Sequence, residues 1–511
     1  MNDKAQKKSG FMRFLDGVEY IGNKLPAPAL IFVYLTLGVM IISAIMDANG
    51  AIVIHPGTGD EIYIRNLLTM DSLHHLIGTI GSNFQGFPPL ALVLTVMIGA
   101  GFAEKVGWLE TLMKKNVVNV NPKLLTVSIF TIGMLSNVAG DAGYLVLPPL
   151  AAITYMLAGR NPLIGVFVAY ASVAGGLSAN VVPAMLDVLL AGFTVSAAQA
   201  IEPDIVLNPT MNWFFMIAST VALIGGGTII TEKMVAPRLE SLGWDKNVDS
   251  SDDMKLREIS AEQLKALKAA NISVLVYVVF MIFLAVAPIH NGQAFLAGST
   301  GSLIDMDSGF LRGLVPIITA LFFIPALTYG KVIGSIKNSH DAARMISSAL
   351  SDMGGYLLIA FCASQFIGMF NWSRMGIIFS VNGAEALSNM GLTGGLLFVL
   401  FIILTALTNL FIGSASAQWA IFAPIFVPMF MLMGYEPAIT QAAFRIGDSI
   451  TNMIGPLASF FPLVLGLAVK YKKGFGIGSF ISTMLPYTIF LGILWTIVFL
   501  IFLTLGLPFG V

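Results

Sequence analysis

"FRIGDSITNMIGP", residues 444–456, sets Arg445 and Asp448 inside a run that otherwise reads as buried in a membrane. A charge at mid-bilayer costs roughly 2.5–3.5 kcal/mol on insertion scales. Gly447, Gly455 and Pro456 in the same stretch are helix breakers. Broken backbone at that depth is tolerated only where protein or a water-filled cavity covers it. The stretch therefore points to an interrupted helix facing the interior of a helical membrane protein.

The whole chain agrees. Of its 511 residues 56% are hydrophobic and only 11% charged, with a mean hydropathy of +0.85. A soluble domain carries about 25% charged residues. The net charge of −1 supplies no basic field for nucleic acid. A single cysteine, Cys362, rules out an intrachain disulfide, and no paired-histidine spacing offers a metal site. The opening "MNDKAQKKSGFMRF" is polar for too long to be read as a cleaved signal peptide.

Apolar runs of about 20 residues cross the ~30 Å hydrocarbon layer. Nine are expected, at 28–48, 87–106, 163–192, 212–235, 270–288, 311–329, 353–372, 438–469 and 480–508. Two further regions, 124–158 and 395–433, are interrupted midway by "SNVAGDAG" (136–143) and "IGSASAQ" (412–418). Each reads as a re-entrant hairpin. Lys and Arg then cluster in alternate connections: before span one and after spans two, four, six and eight. The other connections are nearly free of them, with only Arg65 in 49–86 and none in 193–211 or 289–310. The positive-inside rule puts the N-terminus (1–27) in the cytoplasm and the C-terminus outside. The polar insert 236–269 reads as a cytoplasmic linker between a first half, 28–235, and a second half, 270–511.

The halves repeat. Pro162 and Pro437 lie 275 residues apart, and at that offset Ala142 meets Ala417, Pro149 meets Pro424 and Gly159 meets Gly434. Both halves run hairpin, short loop, then a span broken by "GGLSANVVP" (175–183) or "GDSITNMIGP" (447–456). With the charge pattern, the expectation is an all-α fold with an inverted repeat, the build of many secondary transporters.

In such folds solutes bind where broken helices expose polar backbone at mid-membrane. The four breaks supply Asn137, Asp141, Ser178, Asn180, Ser414, Ser416, Ser449, Thr451 and Asn452. Neutral oxygens of this kind suit a polar solute or Na⁺, with Asn137, Asn180 and Asn452 as sodium candidates; the bland reading is helix–helix hydrogen bonding. Asp187, in "NVVPAMLDVLLAG", and Asp448 are lone acids among apolar neighbours. Burial disfavours the charged form of such an acid, which suits a proton carrier, as against an acid merely satisfied by a hydroxyl. Arg445 has the planar fork that holds an oxyanion, or it pairs with Asp448, three positions on along one helical face. Trp419 is placed to stack on an aryl ligand or to fill the core. Pro437 sets the loop between hairpin and helix. An intramembrane aspartyl protease fits poorly, because no Tyr-Asp pair occurs. An ion channel is disfavoured by isolated ionisable residues on broken helices.

The segments "GNKLPAPALIFVYL" (22–35), "GDAGYLVLPPL" (140–150), "GGLSANVVPAMLDVLLAG" (175–192), "MFNWSRMG" (369–376), "SASAQWAIFAPIFVPMFMLMG" (414–434) and "AFRIGDSITNMIGPL" (443–457) resemble the AbgT family of p-aminobenzoyl-glutamate transporters. The resemblance runs from about residue 17 to the end. It implies a bowl-shaped homodimer in a bacterial inner membrane, with nine spans and two hairpins per subunit. It also implies transport of p-aminobenzoyl-glutamate or export of sulfonamides, coupled to H⁺ or Na⁺, with no organic cofactor. The positions it marks are Asp187, Ser416, Trp419, Pro437, Arg445, Asp448 and Pro456. The first hairpin departs from the family pattern in "SNVAGDAG", as does the helix at Pro183, and both bear on substrate preference.

Overall fold

The computed structural model describes residues 26, 28–54, 59–118, 120–121, 124–137, 142–246, 258–289, 293–303, 305, 307–455, 458 and 460–511. The chain is nearly all helical. In order run α1 (Pro28–Ala48), α2 (Met70–Gln85), α3 (Pro88–Val106), α4 (Trp108–Val118), α5 (Leu125–Ser136), α6 (Ala142–Leu157) and α7 (Pro162–Gly175). Then come α8 (Met185–Ala198), α9 (Trp213–Ile230), a π-helical turn (Thr231–Val235), α10 (Ala236–Leu242), α11 (Ala261–Val286), α12 (Gly309–Arg312), α13 (Leu314–Ile333) and α14 (Ser339–Ser351). The rest are α15 (Gly354–Trp372), α16 (Met375–Asn389), α17 (Gly394–Ile412), α18 (Ala415–Leu432), α19 (Pro437–Asn452), α20 (Phe461–Tyr471) and α21 (Ile477–Leu505). The all-α expectation needs one amendment. β1 (Ile52–Ile54) and β2 (Glu61–Tyr63) pair antiparallel, with Val53 opposite Ile62.

Among the described residues nine helices are long and apolar enough to cross a membrane, but they are not quite the nine expected. α17 and α18, the arms of the second expected hairpin, each qualify by length, while 163–192 and 438–469 are split into shorter helices. The helix ends have local causes. Asn161 accepts the Leu163 N–H and Pro162 takes the first position of α7, which ends at Gly175. α19 likewise begins on a proline, Pro437. Gly413, at φ 38°, turns the chain out of α17, and the Ser414 hydroxyl caps α18 by accepting the Ala417 N–H. At the 275 offset α5, α6, α7 and α8 fall on α17, α18, α19 and α20, so the order of helices and breaks recurs in both halves.

α11 begins at Ala261, nine residues before the apolar run, because Ser260 and Gln263 form a reciprocal capping box. Residues 375–389, outside every expected span, form α16. Along α11 Leu275, Val276, Val279, Phe280 and Phe283 are all exposed. Such a surface is stable only against lipid or another chain.

Lipid tails leave little hydrophobic drive between helices, so close packing relies on small residues. α6 packs on α7 and α17 on α19. A Cβ at Gly165 would lie 2.4 Å from the Ala151 carbonyl oxygen, and one at Gly447 would lie 2.5 Å from the Ile402 oxygen and 2.6 Å from the Thr405 Cβ. The contact at Gly447 is with backbone that has nowhere to move. Gly447→Ala is therefore expected to lower stability by about 1–3 kcal/mol, read as a drop in melting temperature in detergent. Gly466→Ala, inside α20 with nothing within 4 Å, is the control whose melting temperature holds or rises.

Candidate functional site

The two interrupted helices meet at the centre of the fold, where α19 packs on both α7 and α8, and α18 also packs on α8. Asp187 is the third residue of α8, and its Oδ2 accepts the Ala184 N–H at 2.6 Å. A carboxylate at this end complements the helix dipole. Its Oδ1 accepts a hydrogen bond from Arg445 Nη1 at 2.6 Å, and both side chains are 1% exposed. The expected Arg445–Asp448 pair is thus replaced by one that joins the two broken helices across 258 residues of sequence. Helical geometry gives the reason. Arg445 shares its face of α19 with Gln441, one turn earlier, whose Oε1 accepts from Arg445 Nε and Nη2 at 3.2 and 3.1 Å.

The network continues outward. Gln441 Nε2 donates to the Thr194 hydroxyl at 2.7 Å, and Asn212 Nδ2 donates to Gln441 Oε1 at 2.6 Å. Trp419 Nε1 donates to the same Thr194 hydroxyl at 3.0 Å and to the Leu190 carbonyl at 3.2 Å. Its ring lies 4.5 Å from that of Phe444 and is fully buried. Trp419 presents no open face, so of the two expected roles the structure places it in the core. Thr194, Gln441 and Asn212 escaped the sequence reading. Two of them carried a signal: Gln441 lies four residues before Arg445 and Thr194 seven after Asp187, each on the same helical face.

Asp448 is fully buried, and neither carboxyl oxygen has a hydrogen-bond partner among the described residues. Around it the helix end is fixed by Asn409, also missed from sequence. Asn409 Nδ2 reaches the Asp448 carbonyl at 2.8 Å, the Thr451 hydroxyl at 3.0 Å and Asn452 Oδ1 at 2.8 Å. A buried carboxyl without a close partner is expensive to maintain; the polar groups that act on it are Arg445 and the Asn452 side chain.

A cavity of about 240 Å³ opens beside these breaks, lined by Tyr144, Tyr170, Ser414, Asn452 and Phe460 among others. Tyr144 stacks on Phe460 at 4.5 Å, and the Tyr170 hydroxyl donates to the Asn452 carbonyl at 3.0 Å. Ser414 and Ser416 hydroxyls are 3.3 Å apart. Asn137 donates to the Met134 carbonyl at 3.3 Å, and Asn180, with its nitrogen turned toward the same carbonyl, reaches it at 3.2 Å. The Ser178 and Ser449 hydroxyls and Asn137 Oδ1 are buried without partners among the described residues. Pro437 opens α19 as expected. Asp141 and Pro456 lie outside the described residues. No cluster of three or more acidic, histidine or cysteine side chains that would hold a metal occurs among the described residues.

A polytopic helical protein whose interrupted helices enclose polar, partly unsatisfied groups is built as a membrane transporter. The AbgT putative transporter family model matches residues 13–511, and the chain belongs to that family. It is 36% identical to the p-aminobenzoyl-glutamate transport protein of Escherichia coli (strain K12), over 96% of this chain and 95% of that one. It superposes on the YdaH transporter of Alcanivorax borkumensis with a TM-score of 0.88 at 37% identity, covering 95% of this chain and 100% of that one. On MtrF of Neisseria gonorrhoeae, described as illuminating a class of antimetabolite efflux pumps, the TM-score is 0.89 at 39% identity, covering 96% and 98%.

Proposed function

We propose that this chain is a secondary active transporter of p-aminobenzoyl-glutamate and related aryl compounds, sulfonamides included, working by alternating access. The observation that carries the reading is the 2.6 Å Arg445–Asp187 pair between two interrupted helices. A fork-shaped cation held by a buried carboxylate can exchange that partner for a solute carboxylate or sulfonyl oxygen. The exchange couples solute arrival to release of α8 from α19. Asp448, and Asp187 once freed, carry the coupling proton, and the oxygens of Asn137, Asn180 and Asn452 suit Na⁺ in the same role. The cavity walled by Tyr144, Tyr170 and Phe460 takes the aryl ring.

The chain sits in a bacterial inner membrane as a homodimer, N-terminus in the cytoplasm and C-terminus outside, in keeping with the alternation of Lys and Arg along the sequence. The two regions 124–158 and 395–433 return to their side of origin, which makes the halves inverted repeats joined by the 236–269 linker. The same site serves import or export, and the gradient sets the direction. Proteoliposomes with ΔpH and ΔNa⁺ imposed separately test all of this. Saturable accumulation of p-aminobenzoyl-glutamate that follows one gradient is expected. Unsaturable leakage down its own gradient would make the chain a pore.

The aryl assignment makes a separate forecast. Trp419→Phe deletes one buried N–H donor, so it should cost about 1 kcal/mol of stability and leave ligand affinity within about twofold. Phe460→Ala removes a wall of the cavity, and affinity should fall about tenfold, the equivalent of 1.4 kcal/mol. Equilibrium binding on purified protein reads both. The opposite ranking would return the aryl role to Trp419.

A further inference from the structure

A second cavity, of about 500 Å³, lies at the far end of α8 from Asp187. Its lining includes Ser196 and Gln199 from that helix end, Asn83, Asn371 and Arg374. Gln199 is twelve residues from Asp187, about 18 Å along a helix axis. Among the described residues one cation and no acid line the cavity. The Arg374 side chain makes no hydrogen bond or ion pair with any described residue. Arg374 acts on another cation, Arg65, whose ionisation is pushed down by burial and then by Arg374.

Arg374 is also the only described non-glycine residue with a left-handed backbone, φ 62°. It links α15 to α16, and the turn is held by its N–H to the Asn371 carbonyl and by the Met375 N–H to the Ser373 hydroxyl, at 3.0 and 3.1 Å. A glycine would make that turn without steric cost, so the turn alone does not account for an arginine. Strain of this kind persists where the surroundings over-determine it, commonly at ligand sites. The surroundings here are firm. The Arg65 N–H reaches the Ser373 carbonyl at 3.0 Å, its guanidinium lies 4.0 Å over the Trp372 ring, and His75 stacks on the same ring at 3.6 Å. Gly368 leaves room for Asn83, which a Cβ there would meet at 2.6 Å.

We propose that this cavity is a second binding station for organic carboxylates, with Arg374 as the cation that holds them and Asn83, Asn371 and Gln199 as neutral hydrogen-bonding walls. A carboxylate solute released from Arg445 passes along α8 to Arg374. This ordering rests on the transport reading above; the anion site itself does not.

The test uses the full-length protein in liposomes, with Cys362→Ala and Ser196→Cys placing one thiol in the cavity. Its modification is timed with an anionic, a cationic and a neutral methanethiosulfonate. With Arg374 present the anionic reagent is favoured, and Arg374→Gln should reduce the anionic-to-cationic rate ratio about fivefold. Arg374→Lys should keep most of it. Glutarate should slow the neutral reagent when residue 374 is Arg or Lys and not when it is Gln. An unchanged ratio in Arg374→Gln, or no protection by glutarate, overturns the site. Protection by glutarate without protection by p-aminobenzoyl-glutamate upholds the site and overturns the passage of that compound from Arg445 to Arg374.

Discussion

Arg445→Ala is expected to abolish transport and to destabilise the protein by about 3–5 kcal/mol, because it strands the Asp187 carboxylate in the core. Asp187 would keep one neutral partner, the Ala184 N–H, while remaining 1% exposed. Gln441 would lose its contacts with the guanidinium and keep Thr194 and Asn212. The double variant Asp187→Asn/Arg445→Gln separates structure from function. It buries two neutral amides that can bond each other, so most of the lost stability should return. Transport should not return, since neither a fork-shaped cation nor a carboxylate remains to be exchanged. Melting temperature in detergent and counterflow of p-aminobenzoyl-glutamate in liposomes measure the two effects. A double variant that transports at wild-type rate would reduce the pair to scaffolding.

That pair also marks the boundary of what the sequence makes legible. Apolar runs locate the long helices because lipid demands about 20 apolar residues per crossing, and Gly, Asn and Pro locate the breaks because they fail locally. Partnership is different. From Arg445, local spacing favours Asp448 at three positions on; the acid that wins comes from α8, brought in by helix packing that leaves no mark on residue order. The 275-residue offset brings out a contrast between the two halves of the chain. Tyr144 stands at the place of Trp419, and Tyr170 at the place of Arg445, at the 275 offset. In each case the first-half residue lines the 240 Å³ cavity and the second-half residue enters the buried network. The same fold position serves different chemistry in the two halves. The sequence singles out Trp419 and Arg445 and passes over Tyr144 and Tyr170, and only packing shows that the tyrosines face the open space.

Asp448→Asn should uncouple transport without harming the fold. The wild-type carboxyl is fully buried, with Arg445 and the Asn452 side chain as its polar neighbours, so the substitution gives up weak contacts and removes the worst desolvation cost. Melting temperature should stay level or rise. The backbone around position 448 remains anchored through Asn409, whose bonds to the 448 carbonyl, Thr451 and Asn452 do not involve the Asp448 side chain. Solute exchange at zero gradient should therefore persist, because Arg445 and Asp187 are untouched. Accumulation driven by ΔpH should fall at least about 100-fold, the equivalent of some 2.7 kcal/mol of lost coupling. The sodium arm distinguishes the ions: asparagine keeps an oxygen ligand but no charge and no exchangeable proton. Under Na⁺ coupling the variant should still accumulate solute at raised Na⁺ concentration. Under H⁺ coupling no imposed gradient should restore it. If ΔpH drives Asp448→Asn as well as wild type, the coupling proton belongs to Asp187.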